Sequence, residues 1–471
     1  MRFDTIISGG TVHTAESSFV ADVGVEKGLI AAIAAPGSLS SPGARVIDAS
    51  GKHVIPGAID VHVHLALPFC GTVSCDDFEH GSRAAVHSGI TTVIDFAIPS
   101  KGESLKDAHE TWMAKARGKS LVDFSWHMAL TDRGHIEEIP ELVEMGLPTF
   151  KEFMIYESEG WNSDDAMLYA TLEKVRSLSN REDEPRAMLL LHAESPRILD
   201  LFIGRHHTPE KMKALGARLH AITRPNVVEA EAIERAIRFA EHTRGALYIV
   251  HMSTGEGTDL VKAARARGVP VLAETCAQYL VLDDSVFERS DGHLYACCPQ
   301  VKKAGDIDRL WRGLGDGEVC VVSTDTCSFT REQKAMWNGD FTKIPMGLPG
   351  LDTMVPIVYT FGVQAGRITM NRLVQLCCTN PARVMGLGDR KGTIAPGFDA
   401  DLAIIDPAAS LTVDPKSLYS KADWSPYQGM TLHGFSSLTM VRGTVVYENG
   451  KHVGTPGHGQ FVSRSGPGRL N

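Results

Sequence analysis

Two histidines stand two residues apart in the stretch DVHVHLALPFCGT, which begins at Asp60. His62 and His64 follow directly after the apolar, turn-marked run HVIPGAID. Alternate side chains of a β-strand face the same side, so both imidazoles would point in one direction. Two imidazoles placed in this way suit a divalent metal ion, provided that the rest of the chain supplies further ligands.

Further polar residues end apolar runs elsewhere in the chain. They are Lys151 in FKEF, His192 in LLLHAE, His251 in YIVHMS and Asp325 in VVSTD. Each has an ordinary explanation when taken alone: a hydrogen-bonded strand end for a histidine, a helix N-cap for the aspartate, and a surface-reaching side chain for the lysine. Their joint placement at the ends of five separate strand candidates favours one shared site for Zn²⁺ or a similar divalent metal.

The elements that must position these residues alternate between strands and amphipathic helices from about Ile55 onwards. After the strand of the two histidines, we predict strands over 91–98, 121–130, 148–156, 187–195, 246–253, 269–276 and 318–326. About eight such repeats favour a (β/α)8 barrel, in which catalytic residues stand at the carboxyl ends of the strands. The alternation alone leaves an open doubly wound sheet possible. No GxGxxG or P-loop pattern follows a strand, which weakens a nucleotide-binding version of that sheet.

The clearest helix signal is NVVEAEAIERAIRFAEHT, which starts at Asn226. We expect Asn226 to be the N-cap and Glu229 to close a capping box. The spacing predicts a buried face formed by Val227, Ala230, Ile233, Ile237 and Ala240.

Short strands and glycine turns bracket the barrel segment at both ends. We predict one small β domain, a β-sandwich, from residues 1–54 and 393–471, and the barrel from residues 55–392. The last stretch, GTPGHGQFVSRSGPGRLN, is rich in glycine, and we expect it to be an exposed arm.

Composition excludes several classes of function. The chain of 471 residues has 43% hydrophobic and 22% charged residues and a formal charge of −10, and it shows no basic cluster typical of nucleic-acid binding. We expect no membrane span and no secretory signal, because no apolar run approaches the roughly 18 residues that a spanning helix needs. Nine cysteines without CxxC spacing predict reduced thiols and a cytoplasmic protein.

Nearly the whole chain resembles the cyclic amidohydrolases, and within them the hydantoinase/dihydropyrimidinase family. The resemblance rests on DVHVHLALPFCGTVSCDDF, FKEFMIY, LLHAES, IVHMSTGEG, ETCAQYL, VVSTDTCSF, PARVMGLGDRKGTIAPGFDADLAIID and TMVRGTVVYENG. It implies a metal-dependent hydrolase that opens a cyclic amide, a 5-substituted hydantoin or a dihydropyrimidine, to an N-carbamoyl amino acid. The residues after the paired histidines are Leu65 and Ala66, so the arginine that holds a substrate carboxylate in the similar dihydroorotases is missing.

The resemblance also implies a ligand set for two divalent ions, Zn or alternatively Mn, Co or Ni. His62, His64 and Asp325 would hold one ion, and His192 and His251 the other. Lys151 would join both ions as an N6-carboxylysine formed with CO2, since an ammonium between two cations is untenable whereas a carbamate is an anionic bridge.

The same resemblance gives roles for the reaction and for the substrate pocket. A hydroxide shared by the two ions would attack the ring carbonyl, Asp325 would transfer the proton to the leaving nitrogen, and Tyr156 would donate to the developing oxyanion. Substrate-binding positions are Tyr156, Cys298 and Met346, and we expect Leu65 and Phe153 to line a pocket for an apolar ring substituent.

Four positions depart from the family pattern. Thr326 and Ser328 in STDTCSF replace a histidine and a proline, Cys298 replaces a serine, and Met346 replaces an asparagine. These departures leave open the same chemistry on another ring, such as a cyclic imide, allantoin or a lactam.

A second alternative is a non-catalytic scaffold of the same fold, although such relatives have lost the metal ligands. The resemblance further implies a homotetramer or homodimer.

Overall fold

The computed structural model describes residues 2–179, 181, 184–468 and 470, which form two large sheets, two small two-stranded sheets and the surrounding helices. The strands, in chain order, are β1 (Thr5–His13), β2 (Ser18–Glu26), β3 (Leu29–Ala34), β4 (Arg45–Asp48), β5 (His53–Pro56), β6 (Ala58–Val63), β7 (Pro68–Phe69), β8 (Thr72–Val73), β9 (Ile90–Ala97), β10 (Asp123–Ala129), β11 (Thr149–Phe153), β12 (Met188–His192), β13 (Leu247–Ile249), β14 (Val271–Cys276), β15 (Val321–Ser323), β16 (Leu402–Ile405), β17 (Ser410–Thr412), β18 (Thr431–His433), β19 (Ser436–Val441), β20 (Thr444–Glu448) and β21 (Lys451–His452).

Helices connect the strands of the central sheet. They are α1 (Phe78–His87), α2 (Leu105–Ala116), α3 (His135–Glu144), α4 (Asp165–Ser177), α5 (Pro196–His206), α6 (Pro209–Leu215), α7 (Arg218–Ile222), α8 (Asn226–Thr243), α9 (Gly255–Ala266), α10 (Ala304–Asp316), α11 (Arg331–Lys334), α12 (Met354–Ile357), α13 (Met370–Val374) and α14 (Asn380–Val384). Within the part of the chain that is described, none of these helices combines the length and apolarity needed to cross a membrane.

The central sheet is a nearly closed parallel barrel. Its eight strands pair in the order β6, β9, β10, β11, β12, β13, β14 and β15, with a helix after each. The last strand returns to the first: the N–H of His64 donates to the carbonyl oxygen of Thr326 at 2.8 Å, and Val63 bridges the same residue. Strands covered on both faces need apolar side chains throughout, and these strands are buried along nearly their full length. The predicted barrel is confirmed.

The second large sheet draws its strands from both ends of the chain. It has nine mixed strands in the order β21, β20, β19, β16, β5, β1, β2 and β3, with β4 paired to β1. An antiparallel bridge joins Leu29 in the edge strand β3 to Asp399, so the sheet curls around its own apolar core, to which Val12, Val54 and Leu402 contribute. The fold class of a barrel with a small β domain is therefore confirmed. The division at residues 54/55 and 392/393 stays a prediction.

The glycine-rich C-terminal stretch packs against the barrel, so the prediction of an exposed arm is wrong for its described part; Arg469 and Asn471 lie outside the described residues. The N–H of Phe124 in β10 donates to the carbonyl oxygen of Gln460 at 3.0 Å, and the N–H of Val462 donates back to Phe124 at 2.8 Å. Arg464 is 4% exposed and donates to the carbonyl oxygen of Trp126 at 2.6 Å. Glycine allows such close approach of two backbones, which explains the composition.

The helix predicted from Asn226 is confirmed as α8, but its start differs. Pro225 is the N-cap, and Glu229 accepts a hydrogen bond from the N–H of Ser253 at 2.8 Å instead of closing a capping box. Four of the five predicted core positions are buried, whereas Val227 is 46% exposed because the first turn lies at the surface.

Candidate metal centre

All six predicted ligands line one cavity at the carboxyl ends of the barrel strands. Five different strands bring them there. His62 lies in β6 and His64 directly follows that strand, Lys151 lies in β11, and His192 ends β12. His251 and Asp325 follow the ends of β13 and β15. The ligands are His62, His64, Lys151, His192, His251 and Asp325. The sequence placed them at separate strand ends, and the closed barrel converts that pattern into a single site.

Asp325 joins the two histidines of β6 into one ligand group. Its Oδ1 lies 3.2 Å from Nε2 of His62 and 3.3 Å from Nε2 of His64. One possible ligand atom from each residue lies within 4.8 Å of the others. A second group adjoins the first: the ring centroid of His251 lies 4.6 Å from that of His192 and 5.2 Å from that of His62.

Lys151 lines the same cavity as these two groups, and two aromatic rings flank its amine. It is fully buried, and among the described residues its Nζ has no hydrogen-bond partner. Its nearest aromatic neighbours are the rings of Phe153 and Phe96, whose centroids lie 5.0 and 5.2 Å from Nζ. Burial lowers the pKa of Lys151 to about 7, with Asp325 acting in the opposite direction. The amine is therefore neutral at mildly alkaline pH, which is the form that reacts with CO2.

The imidazoles are also held in the form that binds metals. Burial lowers the pKa of His62, His251 and His192 below the ordinary value, so that each ring is neutral and offers a lone pair. Buried Nδ1 atoms of His64 and His251 have no partner among the described residues. Neutral imidazoles, a carboxylate and an unpaired buried amine are a donor set that fits two divalent ions.

Buried carboxylates that sequence reasoning did not single out hold the ligand side chains. Oε1 of Glu274 lies 2.5 Å from Nδ1 of His62, and Oε2 of Glu194 lies 2.9 Å from Nε2 of His192. Both acids interrupt otherwise apolar runs, VLAETC and LLLHAE. That interruption was the available signal, since a buried acid needs a partner.

Aromatic side chains form one wall of the cavity. Tyr156 is half-buried, and its ring centroid lies 5.2 Å from that of His192 and 5.7 Å from that of Phe153. Trp161, which the sequence did not point to, stacks on Phe69 at 5.4 Å. Two larger cavities of about 610 and 590 Å³ adjoin this one; the first shares Trp161 with it, and the second shares Tyr156.

The other predicted pocket positions divide into two groups. Phe153, Cys298 and Met346 line the cavity, and Sγ of Cys298 contacts Sδ of Met346. Leu65 does not: it is fully buried and packs against Gly81 of α1, where a Cβ would lie 2.5 Å from Cδ2 of the leucine. The expectation that Leu65 lines the pocket is wrong, because the side chain points away from the two histidine rings on the same strand.

The two departures beside Asp325 differ in their surroundings, since the buried hydroxyl of Thr326 has no hydrogen-bond partner among the described residues. Thr326 supplies the carbonyl oxygen that closes the barrel onto His64, and the hydroxyl of Ser328 donates to Oδ2 of Asp76 at 2.6 Å. Neither residue is among the described residues that line the cavity.

Three residues of the cavity are among the ten described non-glycine residues with a positive φ angle. Tyr156, His251 and Asp325 have φ angles of 72°, 37° and 51°, a region in which non-glycine residues are uncommon. Such conformations persist where the surrounding structure holds a side chain in a functional position. Three candidate site residues share this property.

Comparisons with known proteins agree with this geometry. The profile of the amidohydrolase family matches residues 53–446. The chain is 38% identical to the D-hydantoinase of Geobacillus stearothermophilus, over 99% of this chain and 97% of that one. It is 37% identical to the D-hydantoinase of Streptomyces coelicolor, over 99% of each. The crystal structure of a dihydropyrimidinase from Brevibacillus agri matches with a TM-score of 0.94 and 36% identity, covering 99% of this chain and 100% of that one.

The fold and the cavity define a barrel hydrolase whose chemistry takes place at the strand ends. The chain belongs to the amidohydrolase family, and its relatives place it on the hydantoinase/dihydropyrimidinase side. The resemblance stated from the sequence is confirmed.

Proposed function

We propose that this protein hydrolyses a cyclic amide bond, converting a 5-substituted hydantoin or a dihydropyrimidine to an N-carbamoyl amino acid. The observation that carries the proposal is the convergence of six candidate metal ligands on one cavity, among them a buried lysine whose Nζ has no hydrogen-bond partner in the described part of the chain. The similarity to proteins named D-hydantoinase and dihydropyrimidinase supports this substrate class. A non-catalytic scaffold has no need of such a ligand set.

In this proposal His62, His64 and Asp325 hold one divalent ion, and His192 and His251 hold the other. Lys151, carried as N6-carboxylysine, would be an anionic ligand shared by the two ions. The neutral amine and the apolar rings around it favour carbamate formation over an uncompensated ammonium. Zinc is the ion that we propose, and Mn, Co and Ni suit the same ligands.

Bound ions would supply a hydroxide nucleophile near neutral pH and polarise the ring carbonyl. Residues of the chain transfer the proton and stabilise the developing oxyanion. Asp325 takes the proton of the nucleophile and delivers it to the ring nitrogen as the C–N bond breaks. The hydroxyl of Tyr156 donates to the carbonyl oxygen as negative charge develops there. Burial raises the pKa of Tyr156 well above its ordinary value, so the phenol keeps its proton and remains a donor.

The ring would lie between Tyr156, Phe153 and the sulfur atoms of Cys298 and Met346. The two adjoining cavities leave room for a substituent that extends past Trp161 or past Tyr156. Because Cys298 and Met346 stand in the cavity wall, they are the departures that could shift preference to a cyclic imide, allantoin or a lactam.

Cellular setting and assembly belong to the same proposal. The nine cysteines are all free thiols, which is the state expected in a reducing compartment, and we propose a cytoplasmic enzyme. We also propose a homotetramer or homodimer, and a division into a barrel of residues 55–392 and a β domain of residues 1–54 and 393–471.

A hydrolysis panel tests the function. Zinc-loaded protein is offered dihydrouracil, hydantoin, 5-phenylhydantoin, allantoin, dihydroorotate and a cyclic imide, and ring opening is followed by loss of ultraviolet absorbance. We expect turnover of the hydantoins or of dihydrouracil. Turnover confined to the imide or allantoin would keep the mechanism and change the substrate class, while silence on every ring from protein that holds two ions would refute the proposal.

Matched variants assign the role of Lys151. Lys151→Ala should lose activity and recover part of it with a short carboxylic acid, which can occupy the space of the carbamate. Lys334→Ala is the control, since Lys334 is equally buried but donates to the carbonyl oxygen of Ala296 outside the cavity. Equal losses in the two variants would point to general damage from removing a buried lysine.

A further inference from the structure

Glu274, in the strand β14, touches both ligand groups of the candidate metal centre. Its Oε1 lies 2.5 Å from Nδ1 of His62 and accepts the backbone N–H of His251 at 3.2 Å. Its Oε2 accepts the hydroxyl of Tyr248 at 3.0 Å. The carboxylate is fully buried, and two of its three donors belong to residues that would hold different ions.

The contact with His62 fixes which ring nitrogen is free. An ionised Glu274 can only accept a hydrogen bond, so in that form it places the proton on Nδ1 and leaves the lone pair on Nε2. Nε2 is the atom that faces Oδ1 of Asp325 at 3.2 Å. Glu274 therefore selects the tautomer of His62 that can bind an ion inside the cavity.

The contact with His251 fixes a backbone conformation. With φ at 37°, His251 occupies a region that non-glycine residues seldom adopt. The hydrogen bond from its N–H to Glu274 holds this conformation, which turns the ring towards His192 at 4.6 Å. One side chain thus sets the tautomer of a ligand in the first group and the direction of a ligand in the second.

We infer that Glu274 is the positioning residue that couples the two ion sites; the inference rests on the proposed binuclear centre. Glu194 shows the contrast. It contacts the imidazole of one ligand, His192, and its other oxygen faces the Arg224 guanidinium at 3.6 Å. Loss of Glu274 should weaken both ion sites, whereas loss of Glu194 should weaken one.

The test is direct metal binding by metal-free protein titrated with Co²⁺, read by visible absorption and by elemental analysis of ions per chain. We expect Glu274→Gln to lower the affinity of both ions by about 10- to 100-fold and to change the cobalt spectrum. Glu194→Gln should lower one affinity only. Tyr248→Phe is the matched control, because it removes the third donor to Glu274 and leaves both ligand contacts, so its affinities should stay within about threefold of wild type.

Thermal unfolding of the metal-free variants distinguishes a role of Glu274 in positioning the ligands from a role in stabilising the fold. Similar melting of metal-free Glu274→Gln and wild type, together with weaker Co²⁺ binding, supports the inference. If Glu274→Gln does not fold, Glu274→Asp keeps the charge but shortens the side chain, and the same loss at both ions is expected.

Unchanged Co²⁺ affinity and spectrum in the folded variant, or a loss confined to one ion, would overturn the coupling role. The proposed function fails separately, if wild-type protein binds two ions and hydrolyses no cyclic amide.

Discussion

Two clusters of buried charged groups lie at opposite ends of the barrel, and both bring together three possible metal ligands. The mouth cluster, at the carboxyl ends of the strands, contains His62, His64 and Asp325. The base cluster contains Asp123, which begins β10, together with Asp399 and Asp401. By ligand count alone the two clusters look alike.

The base cluster already has its cations. Nζ of Lys391 lies 2.8 Å from Asp123, 2.5 Å from Asp401 and 3.2 Å from Asp399. Arg442 pairs with Asp123 as well. These contacts join the barrel to the segment that leads into β16, so the base cluster holds the two sheets together and leaves no place for an ion.

Around the mouth cluster, by contrast, several buried polar atoms have no hydrogen-bond partner among the described residues: Nζ of Lys151 and the Nδ1 atoms of His64 and His251. Buried polar groups are normally satisfied, and an exception needs an explanation. A pair of metal ions and a carbamate would satisfy them together. Incomplete pairing within the protein, more than the presence of ligand-type residues, therefore separates a binding site from a structural ion cluster.

The largest expected effect comes from the same substitution made in each cluster. Lys151→Met should reduce kcat/KM by at least about 1,000-fold, because several kcal/mol of metal-dependent stabilisation are lost. Lys391→Met should leave kcat of the folded enzyme within about threefold, since the base cluster touches no reacting atom. Steady-state assays with excess Zn²⁺, normalised to folded protein, measure both. An equal loss in the two variants would contradict the division of roles.

The second prediction concerns stability, for which the substitution in the base cluster should have the larger effect. Lys391→Met should lower the free energy of unfolding by about 3–5 kcal/mol, because it leaves buried carboxylates without their shared partner. Lys106→Met is the control: it breaks the exposed pair with Glu141, at 3.0 Å, and should cost less than about 1 kcal/mol. Urea unfolding of the metal-loaded proteins provides the comparison. A cost below about 1 kcal/mol for Lys391→Met would show that the base cluster does not stabilise the fold.

The third prediction concerns a residue of the cavity whose loss should affect catalysis and not stability. Tyr156→Phe should lower kcat by about 100-fold, because the oxyanion loses one donor, with little change in metal content. Phe69 and Trp161 still hold the ring in place, so stability should change by less than about 1 kcal/mol. A kcat within about threefold of wild type would remove Tyr156 from the mechanism.

The mouth could be predicted from the sequence because each ligand ends its own apolar run. Strand alternation and barrel closure then place His62, Lys151 and His251 together. The family resemblance added which ligands serve which ion and the role of Tyr156, which spacing alone does not give.

The base cluster and the C-terminal arm could not be predicted in that way. Asp123 and Lys391 lie far apart in the chain, and each looks like an ordinary surface charge in its own segment. The glycines before Phe461 suggested a free arm, yet they allow the backbone to pair with β10. Contacts of this kind depend on where distant segments meet. Leu65 is a different case: it directly follows His64, so strand alternation already turns its side chain away from the side that the histidines face.

The smallest expected effect is also the one that distinguishes the clusters most directly. In metal-free protein, Lys151→Met should raise the free energy of unfolding by about 1–3 kcal/mol, because it removes a buried nitrogen that lacks a hydrogen-bond partner among the described residues. Metal loading should reverse the order, since in the proposed centre only the wild type would hold both ions and gain stability from them. Denaturant unfolding with and without a chelator measures the change of sign. A loss of stability in the metal-free variant would mean that Lys151 has a partner within the folded chain, as Lys391 has, and the contrast between mouth and base would no longer hold.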